Sequence, residues 1–383
     1  MRDTSSLLFA LVLSVLLVGC GKPAVSAPKE CTEPAGRPLS DDAILAAVGD
    51  ARIVALGEAD HGDAATLELK AHLVQLLHAR AGFEVLAFES SLWDVHRMDN
   101  DLRKGTAVEV AAHEGLFPAL ADDPSVRALL AFATSTRDSP HALQLAGFDP
   151  QFSGDDRELP FARMLAEATG KCAFVPEALR GRIEAAFKRF PKRQKFTPLD
   201  PQTRTTDAEA FIELRSLLKS NQSAFLGVVG MSEAPFVMRT LDSILGLYQW
   251  HDQVATTSVE IDWKHVAVNN ARDRLMAENV AWLRKQLPGR KIILWGATSH
   301  LVRDLSPTQP VAGFDLTGYE PMGRFVARDA SAKYFVLGVS PEGGGMLDVR
   351  GTDCAFTARA IGNVPMTNVW SRSLDVLIGT ERK

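Results

Sequence analysis

Residues 52–90 read RIVALGEADHGDAATLELKAHLVQLLHARAGFEVLAFES, and this stretch has the pattern of a strand, a loop, a helix and a second strand. The first apolar run ends at Gly57, and leucines then recur at helical spacing until Gly82. A second apolar run occupies residues 85–88. Two parallel strands need a crossover of this kind, so the stretch predicts one βαβ unit. The sequence therefore predicts an α/β fold with a mostly parallel central sheet flanked by helices.

Polar side chains stand where four predicted strands end. Glu58 and His61 follow the first strand, and Glu89 follows the second. Two later apolar runs lead to Asp149 and to His300. Ligands of open α/β sheets bind beyond the carboxyl ends of the strands. Each of these residues alone is typical of a helix cap or a solvated group, but their coincidence at four strand ends favours a functional site.

The residue types at this edge favour a histidine that activates water. Such a histidine needs a partner that fixes its tautomer, and either Glu58 or Glu89 is placed to be the partner of His61. The chain has no G-x-S-x-G elbow. It also has no H-E-x-x-H motif and no phosphate-binding loop. We therefore expect neither a serine nucleophile nor a metal or other cofactor.

The N-terminal residues are typical of a targeting segment. A mostly apolar run at residues 7–18 is shorter than a membrane-spanning helix and suits a signal peptide. It is followed by Gly19-Cys20, and residues 17–20 resemble a bacterial lipobox, whose cysteine is lipidated. We expect a signal peptide at residues 1–19 and a flexible, proline-rich tether at residues 20–38. The mature protein would then be a lipoprotein anchored in the membrane of the bacterial cell envelope.

Residues 39–383 are expected to form the globular domain. The pattern of residues 155–251 is mostly helical without a convincing strand, and predicts a helical insertion that covers the pocket. Basic residues cluster at positions 180–195, where a solvated helix face and loop is the favoured interpretation over a membrane or partner site. A formal net charge of −5 and the lack of an aromatic-basic patch argue against a nucleic-acid partner.

Three cysteines follow Cys20 in the sequence, namely Cys31, Cys172 and Cys354. Their spacing does not match a zinc site. In an oxidising compartment two of them could form a disulfide, but the sequence does not distinguish the possible pairs.

The polar loop after the first strand also resembles the signature of the erythromycin esterases. In that family, a Gly-Glu-Ala-Thr-His-Gly motif precedes a helix with a basic residue and a strand that ends in Phe-Glu. The corresponding features here are GEADHG at residues 57–62, Lys70, and Phe88-Glu89. Four later segments match in order: GFDPQ at 147–151, NARDRLMAEN at 270–279, MGRF at 322–325 and YFVLG at 334–338.

The resemblance spans about residues 41–379 and implies an α/β fold with a large helical portion. It also implies metal-independent hydrolysis of a macrolactone ester. The family's general base corresponds to His61, and its carboxylates correspond to Glu58 and Glu89. We expect His300 to take part in catalysis, with Lys70, Arg272 or His300 stabilising the oxyanion. Substrate contacts are expected from Lys70, Asp149, Gln151 and Arg272.

Two departures from the family pattern bear on the substrate. Asp60 replaces the usual threonine, and residues 297–300 read ATSH where the family has His-Asn-x-His. The water-activating His61 is unaffected, but the pocket differs. The leading hypothesis is a lipid-anchored hydrolase of erythromycin-like lactones, with antibiotic resistance as the implied role. A hydrolase of a different envelope ester and a non-catalytic ligand-binding lipoprotein are the alternatives.

Overall fold

A computed structural model describes residues 29–33, 36–154, 159–190, 199–255, 266–309, 316, 318–329, 333–362 and 364–380. The expected signal peptide, Cys20 and most of the expected tether lie outside these residues, as do residues 191–195 of the basic segment. Within the described ranges, no helix is long and apolar enough to cross a membrane.

A seven-stranded sheet forms the centre of the molecule, and a two-stranded hairpin forms a separate sheet. The strands are β1 (Ile53–Glu58), β2 (Phe83–Ser91), β3 (Gln144–Asp149), β4 (Lys291–Ala297), β5 (Tyr334–Ser340), β6 (Gly345–Asp348), β7 (Phe356–Ile361), β8 (Val364–Asn368) and β9 (Val376–Gly379). The sheet order is β3-β2-β4-β1-β5-β9-β6, and β7 pairs with β8. Only the β6–β9 pair of the sheet is antiparallel. The predicted mostly parallel sheet is therefore confirmed.

Helices cover both faces of the sheet. They are α1 (Asp41–Val48), α2 (Ala64–Ala81), α3 (Leu92–Arg103), α4 (Val108–Gly115), α5 (Pro118–Ala121), α6 (Pro124–Ser135), α7 (Pro160–Gly170), α8 (Glu177–Arg189), α9 (Pro201–Ser220), α10 (Gln222–Val229), α11 (Ala234–Ala255), α12 (Val266–Gln286), α13 (Thr298–Leu301), α14 (Met322–Asp329) and α15 (Trp370–Ser373). Val54 and Leu56 of β1 pack into the core beneath α2, whereas Ile53 and Ala55 pack into the core beneath α12. Burial on both faces explains why β1 is apolar throughout rather than alternating.

The described residues between Leu159 and Ala255 contain helices α7 to α11 and no strand, as the fold prediction required. These helices share an apolar core of their own. Trp93 and Phe152 belong to that core as well, and they follow the carboxyl ends of β2 and β3 respectively. The helical insertion therefore contacts the chain where it leaves the sheet edge that carries the expected site.

A disulfide joins Cys31 to Cys354, and Cys172 is a buried free thiol. The bridge ties the segment before α1 to the segment before β7. The structure thus identifies the two cysteines that form the disulfide, which the sequence alone did not distinguish.

Candidate active site

The first cluster of the site is built at the end of β1. Glu58 is the last residue of the strand, and His61 lies in the turn that leads into α2. His61 Nδ1 lies 2.9 Å from Glu58 Oε1. A carboxylate only accepts hydrogen bonds, so Nδ1–H donates and Nε2 of the neutral ring carries the free lone pair. The His61 side chain is 51% exposed, whereas the Glu58 side chain is 1% exposed. The imidazole therefore faces solvent, and the carboxylate that binds it is buried.

Lys70 lies beneath this pair. It is fully buried on α2, and its ammonium forms an ion pair with the second oxygen of Glu58. Lys70 Nζ also lies 4.3 Å from the ring centroid of Trp295. Burial lowers the pKa of Lys70 well below its usual value, and the charge of Glu89 opposes this shift. The ion pair with Lys70 holds Glu58 in place. A contact between Lys70 and substrate stays a prediction.

The second cluster joins β2 and β3 through a buried arginine. Glu89 Oε1 accepts a hydrogen bond from Arg272 Nη2 at 2.9 Å, and Asp149 pairs with the same guanidinium. Glu89 was expected just beyond the strand, but β2 continues to Ser91 with an irregular register against β3. The negative charges at the ends of β2 and β3 thus share one positively charged partner from α12.

Glu89 is ionised despite its burial. Burial raises the pKa of this carboxyl, but the positive charges of His300, Arg272 and His61 and the amide of Ala297 together lower it to about 2. Ala297 N donates to Glu89 Oε2 at 2.8 Å. Gly296 makes this approach possible, because a Cβ there would lie 2.7 Å from the same oxygen.

His300 connects to the second cluster at the start of α13. Its Nε2 lies 3.1 Å from Arg272 Nη1 and 3.5 Å from Glu89 Oε1. Its Nδ1 lies 2.9 Å from an oxygen of Asp273. The predicted residues Glu89, Asp149, Arg272 and His300 thus share one hydrogen-bonded network.

Gln151 is buried beside this network. Its backbone N donates to Asp149 Oδ1 at 2.9 Å, and its side-chain Oε1 has no hydrogen-bond partner among the described residues. A buried amide oxygen without a partner is costly in a folded protein. The Gln151 side-chain oxygen is therefore available to accept a hydrogen bond from a bound ligand.

The two clusters lie at the same carboxyl-terminal edge of the sheet, with β4 between β1 of the first cluster and β2 of the second. The order β3-β2-β4-β1 places the ends of these parallel strands side by side. The charge of Glu89 influences the pKa of Lys70, and the charge of His61 influences that of Glu89. The direct partner of His61 is Glu58, which decides between the two carboxylates that the sequence left open.

Two residues of the network were missed in the sequence analysis. Asp273 and Tyr319 both contact His300 Nδ1 and are both buried. Asp273 directly follows Arg272 in a helix that carries many charges. Periodicity therefore did not indicate that both side chains are buried. Among the described residues, no group of three or more His, Cys, Asp or Glu side chains could hold a metal ion.

Several comparisons with known proteins agree with this architecture. The family description "Erythromycin esterase" matches residues 78–365. This segment includes Glu89, Asp149, Arg272 and His300, and it begins within α2 after His61. No curated protein matches the sequence significantly.

Three solved structures share the fold. A protein from Bacillus cereus has a TM-score of 0.70 at 17% identity, over 92% of this chain and 94% of its own. A succinoglycan biosynthesis protein has a TM-score of 0.65 at 14% identity, with 93% and 94% covered. A mutant of erythromycin esterase EreC in its open conformation has a TM-score of 0.64 at 16% identity, with 88% and 92% covered. Because the family match spans most of its length, the chain belongs to the erythromycin esterase family and is an esterase-type hydrolase.

Proposed function

We propose that this protein hydrolyses the ester of a macrolide-like lactone with a water molecule that His61 activates. The observation that carries the proposal is the buried Glu58–Lys70 ion pair beneath an exposed imidazole. A base must present an unprotonated nitrogen to solvent, and in the neutral ring the Nδ1–H···Glu58 hydrogen bond makes Nε2 of His61 that nitrogen.

The reaction requires one proton to move twice. His61 Nε2 takes a proton from water while the water oxygen bonds to the carbonyl carbon of the ester. Glu58 stabilises the imidazolium that forms, and Lys70 holds Glu58. The bond from the carbonyl carbon to the alcohol oxygen then breaks, and that oxygen takes the proton from His61. The products are a carboxylic acid and an alcohol on an opened ring.

The second cluster supplies the electrostatic part of the mechanism. Arg272 forms ion pairs with two carboxylates within the buried edge. His300 Nε2, once protonated, would donate to a substrate oxygen in this assignment. A preorganised donor of this kind contributes about 10²–10³-fold in rate. Asp149 and Gln151 would orient the substrate.

We also propose that the helical insertion covers the cleft during turnover. Its core reaches the segments after β2 and β3 through Trp93 and Phe152. Exclusion of water from the cleft would strengthen every charge interaction in it.

The substrate is tested by mass spectrometry with the full chain in detergent. Incubation with erythromycin and related lactones should give products heavier by one water molecule. A panel of simpler esters is included in the same experiment. Turnover of a simple ester without turnover of macrolides would favour a different envelope metabolite, for which the ATSH segment is the supporting observation. Tight binding of a lactone without turnover would favour the non-catalytic lipoprotein.

A lipid anchor on Cys20 is proposed from the lipobox-like residues 17–20. The Cys31–Cys354 disulfide supports export, because disulfides persist in oxidising compartments such as the bacterial periplasm. The protein would therefore act at the membrane of the cell envelope.

Cys20→Ser is expected to move the protein out of the lipidated membrane fraction. The thiol is the atom that lipidation modifies, and one acyl chain gives only marginal binding, so the multiple chains of a bacterial lipoprotein are needed. Membrane fractionation and intact-mass measurement check this prediction, with Cys172→Ser as the matched control. Equal partitioning of wild type and Cys20→Ser, without lipid mass on Cys20, would disprove the anchor.

A further inference from the structure

Asp273 of α12 is a fully buried carboxylate with three hydrogen-bond donors around it. Met322 N lies 2.7 Å from Oδ1, and the Tyr319 hydroxyl lies 3.0 Å from Oδ2. His300 Nδ1 lies 2.9 Å from Oδ2. An amide N–H can only donate, so Asp273 Oδ1 accepts from Met322 N, whereas the Tyr319 hydroxyl lies 3.0 Å from both Asp273 Oδ2 and His300 Nδ1. An ionised Asp273 requires that His300 Nδ1 also donates.

The proton on Nδ1 determines what the other ring nitrogen of His300 can do. Nε2 lies between a donor, Arg272 Nη1 at 3.1 Å, and an acceptor, Glu89 Oε1 at 3.5 Å. In the neutral ring Nε2 accepts from Arg272. In the protonated ring the Nε2–H bond is directed to Glu89 or to a ligand oxygen. The ring can therefore alternate between two partners without rotating.

The surrounding charges favour the protonated ring. Burial lowers the pKa of His300, but the carboxylates of Asp273 and Glu89 and the hydrogen bond to Asp273 raise it above its usual value, against the charge of Arg272. Asp149 faces the same group through its ion pair with Arg272. Tyr319 remains a neutral donor, because burial and the charge of Asp273 raise its pKa well above the usual value.

We propose that Asp273, supported by Tyr319, is a positioning residue that keeps a proton on His300 Nδ1 and so presents Nε2 for chemistry. Its catalytic consequence rests on the proposed ester hydrolysis, whereas its effect on the tautomer does not. A purely structural alternative exists, since Met322 begins α14 and Asp273 caps that helix through the Met322 amide. The two roles make different predictions for the His300 ring.

The tautomer is measured by long-range ¹H–¹⁵N NMR on the full chain with ¹⁵N-labelled histidine. The signal of His300 is assigned from its loss in His300→Gln. In the wild type, neutral His300 should be protonated at Nδ1, and a neutral wild-type ring protonated at Nε2 and not at Nδ1 would overturn the proposal without any variant.

Asp273→Asn should change the tautomer, because the asparagine amide can donate to Nδ1 and force the proton onto Nε2. The same variant should titrate at lower pH, because it lacks a carboxylate that favours the charged ring. Asp273→Asn with the wild-type tautomer and titration would assign Asp273 to helix capping alone and refute the proposal.

Kinetics then connects the tautomer to the reaction. Asp273→Asn should lower kcat by about 10²-fold with little change in KM, as for a lost oxyanion donor. Glu320→Gln is the matched control. Glu320 lies between Tyr319 and Met322 in the sequence, but it pairs with Arg274 and Arg324 instead of His300. It should keep the wild-type tautomer and kcat. If the wild type hydrolyses no ester, the proposed function fails while the NMR result still decides the tautomer.

Discussion

His61→Ala is expected to lower kcat by about 10²–10⁴-fold with the fold intact, which is the range for loss of a general base. The side chain is half exposed at the mouth of the site, so its removal leaves no cavity in the core. It does remove the nitrogen that takes the proton from water. Steady-state kinetics on a confirmed lactone or ester substrate gives the rate, and circular dichroism monitors folding.

His141→Ala is the control for this measurement. His141 is also exposed and also pairs through Nδ1 with a glutamate, Glu84, at 2.7 Å. This pair, however, lies where β2 begins, at the amino-terminal edge of the sheet. The control should keep the wild-type kcat. Near-normal turnover by His61→Ala would remove His61 as the base and make His300 the next candidate.

The β1–α2–β2 unit was predictable because its signals are local. Apolar runs of strand length flank a helix with a repeating leucine face, and Gly82 ends α2 in a left-handed conformation that suits glycine. The edge that gathers Glu58, Glu89 and Asp149 follows from the parallel topology alone. Any sequence with that topology places these strand ends together.

The burial of Lys70 was also encoded locally. Lys70 follows Leu67 by three residues and precedes Leu73 by three, so it shares the face of α2 that packs on the sheet. A lysine on that face must be buried and needs a buried carboxylate. Glu58 at the adjacent strand end is that partner.

Other features depend on contacts distant in sequence and could not be predicted from local patterns. The Cys31–Cys354 pair is separated by 323 residues. Asp273 meets Tyr319 across 46 residues. The strands β6, β7 and β8 are short and lie among glycines or partly exposed residues, so neither length nor alternation indicated them. Tertiary packing alone selects these pairs.

Arg272→Met is expected to destabilise the protein by about 3–5 kcal/mol, the typical cost of breaking a buried ion pair by removing one partner. Arg272 is buried between Glu89 and Asp149, and methionine fills similar space without charge. Two carboxylates would then lose their shared ion-pair partner in the buried sheet edge. Chemical denaturation at neutral pH measures the loss. Arg274→Met is the control, because Arg274 lies on the same helix, is 59% exposed and forms an ion pair with Glu320; exposed pairs contribute about 0–1 kcal/mol.

The pH dependence separates this electrostatic effect from a packing defect. In the wild type the pKa of Glu89 is about 2, below its usual 4.5, so its ionisation stabilises the fold above pH 4.5 and this contribution is lost as the pH falls toward 2. Without Arg272, one of the charges that oppose the effect of burial is lost, so the pKa of Glu89 should rise from about 2 and acidic pH should destabilise the variant less than the wild type. The difference in unfolding free energy between variant and wild type should therefore narrow as the pH is lowered from about 7 to about 4. A difference that stays constant over this range would mean that Arg272 acts through packing, and that Glu89 and Asp149 are stabilised by other groups.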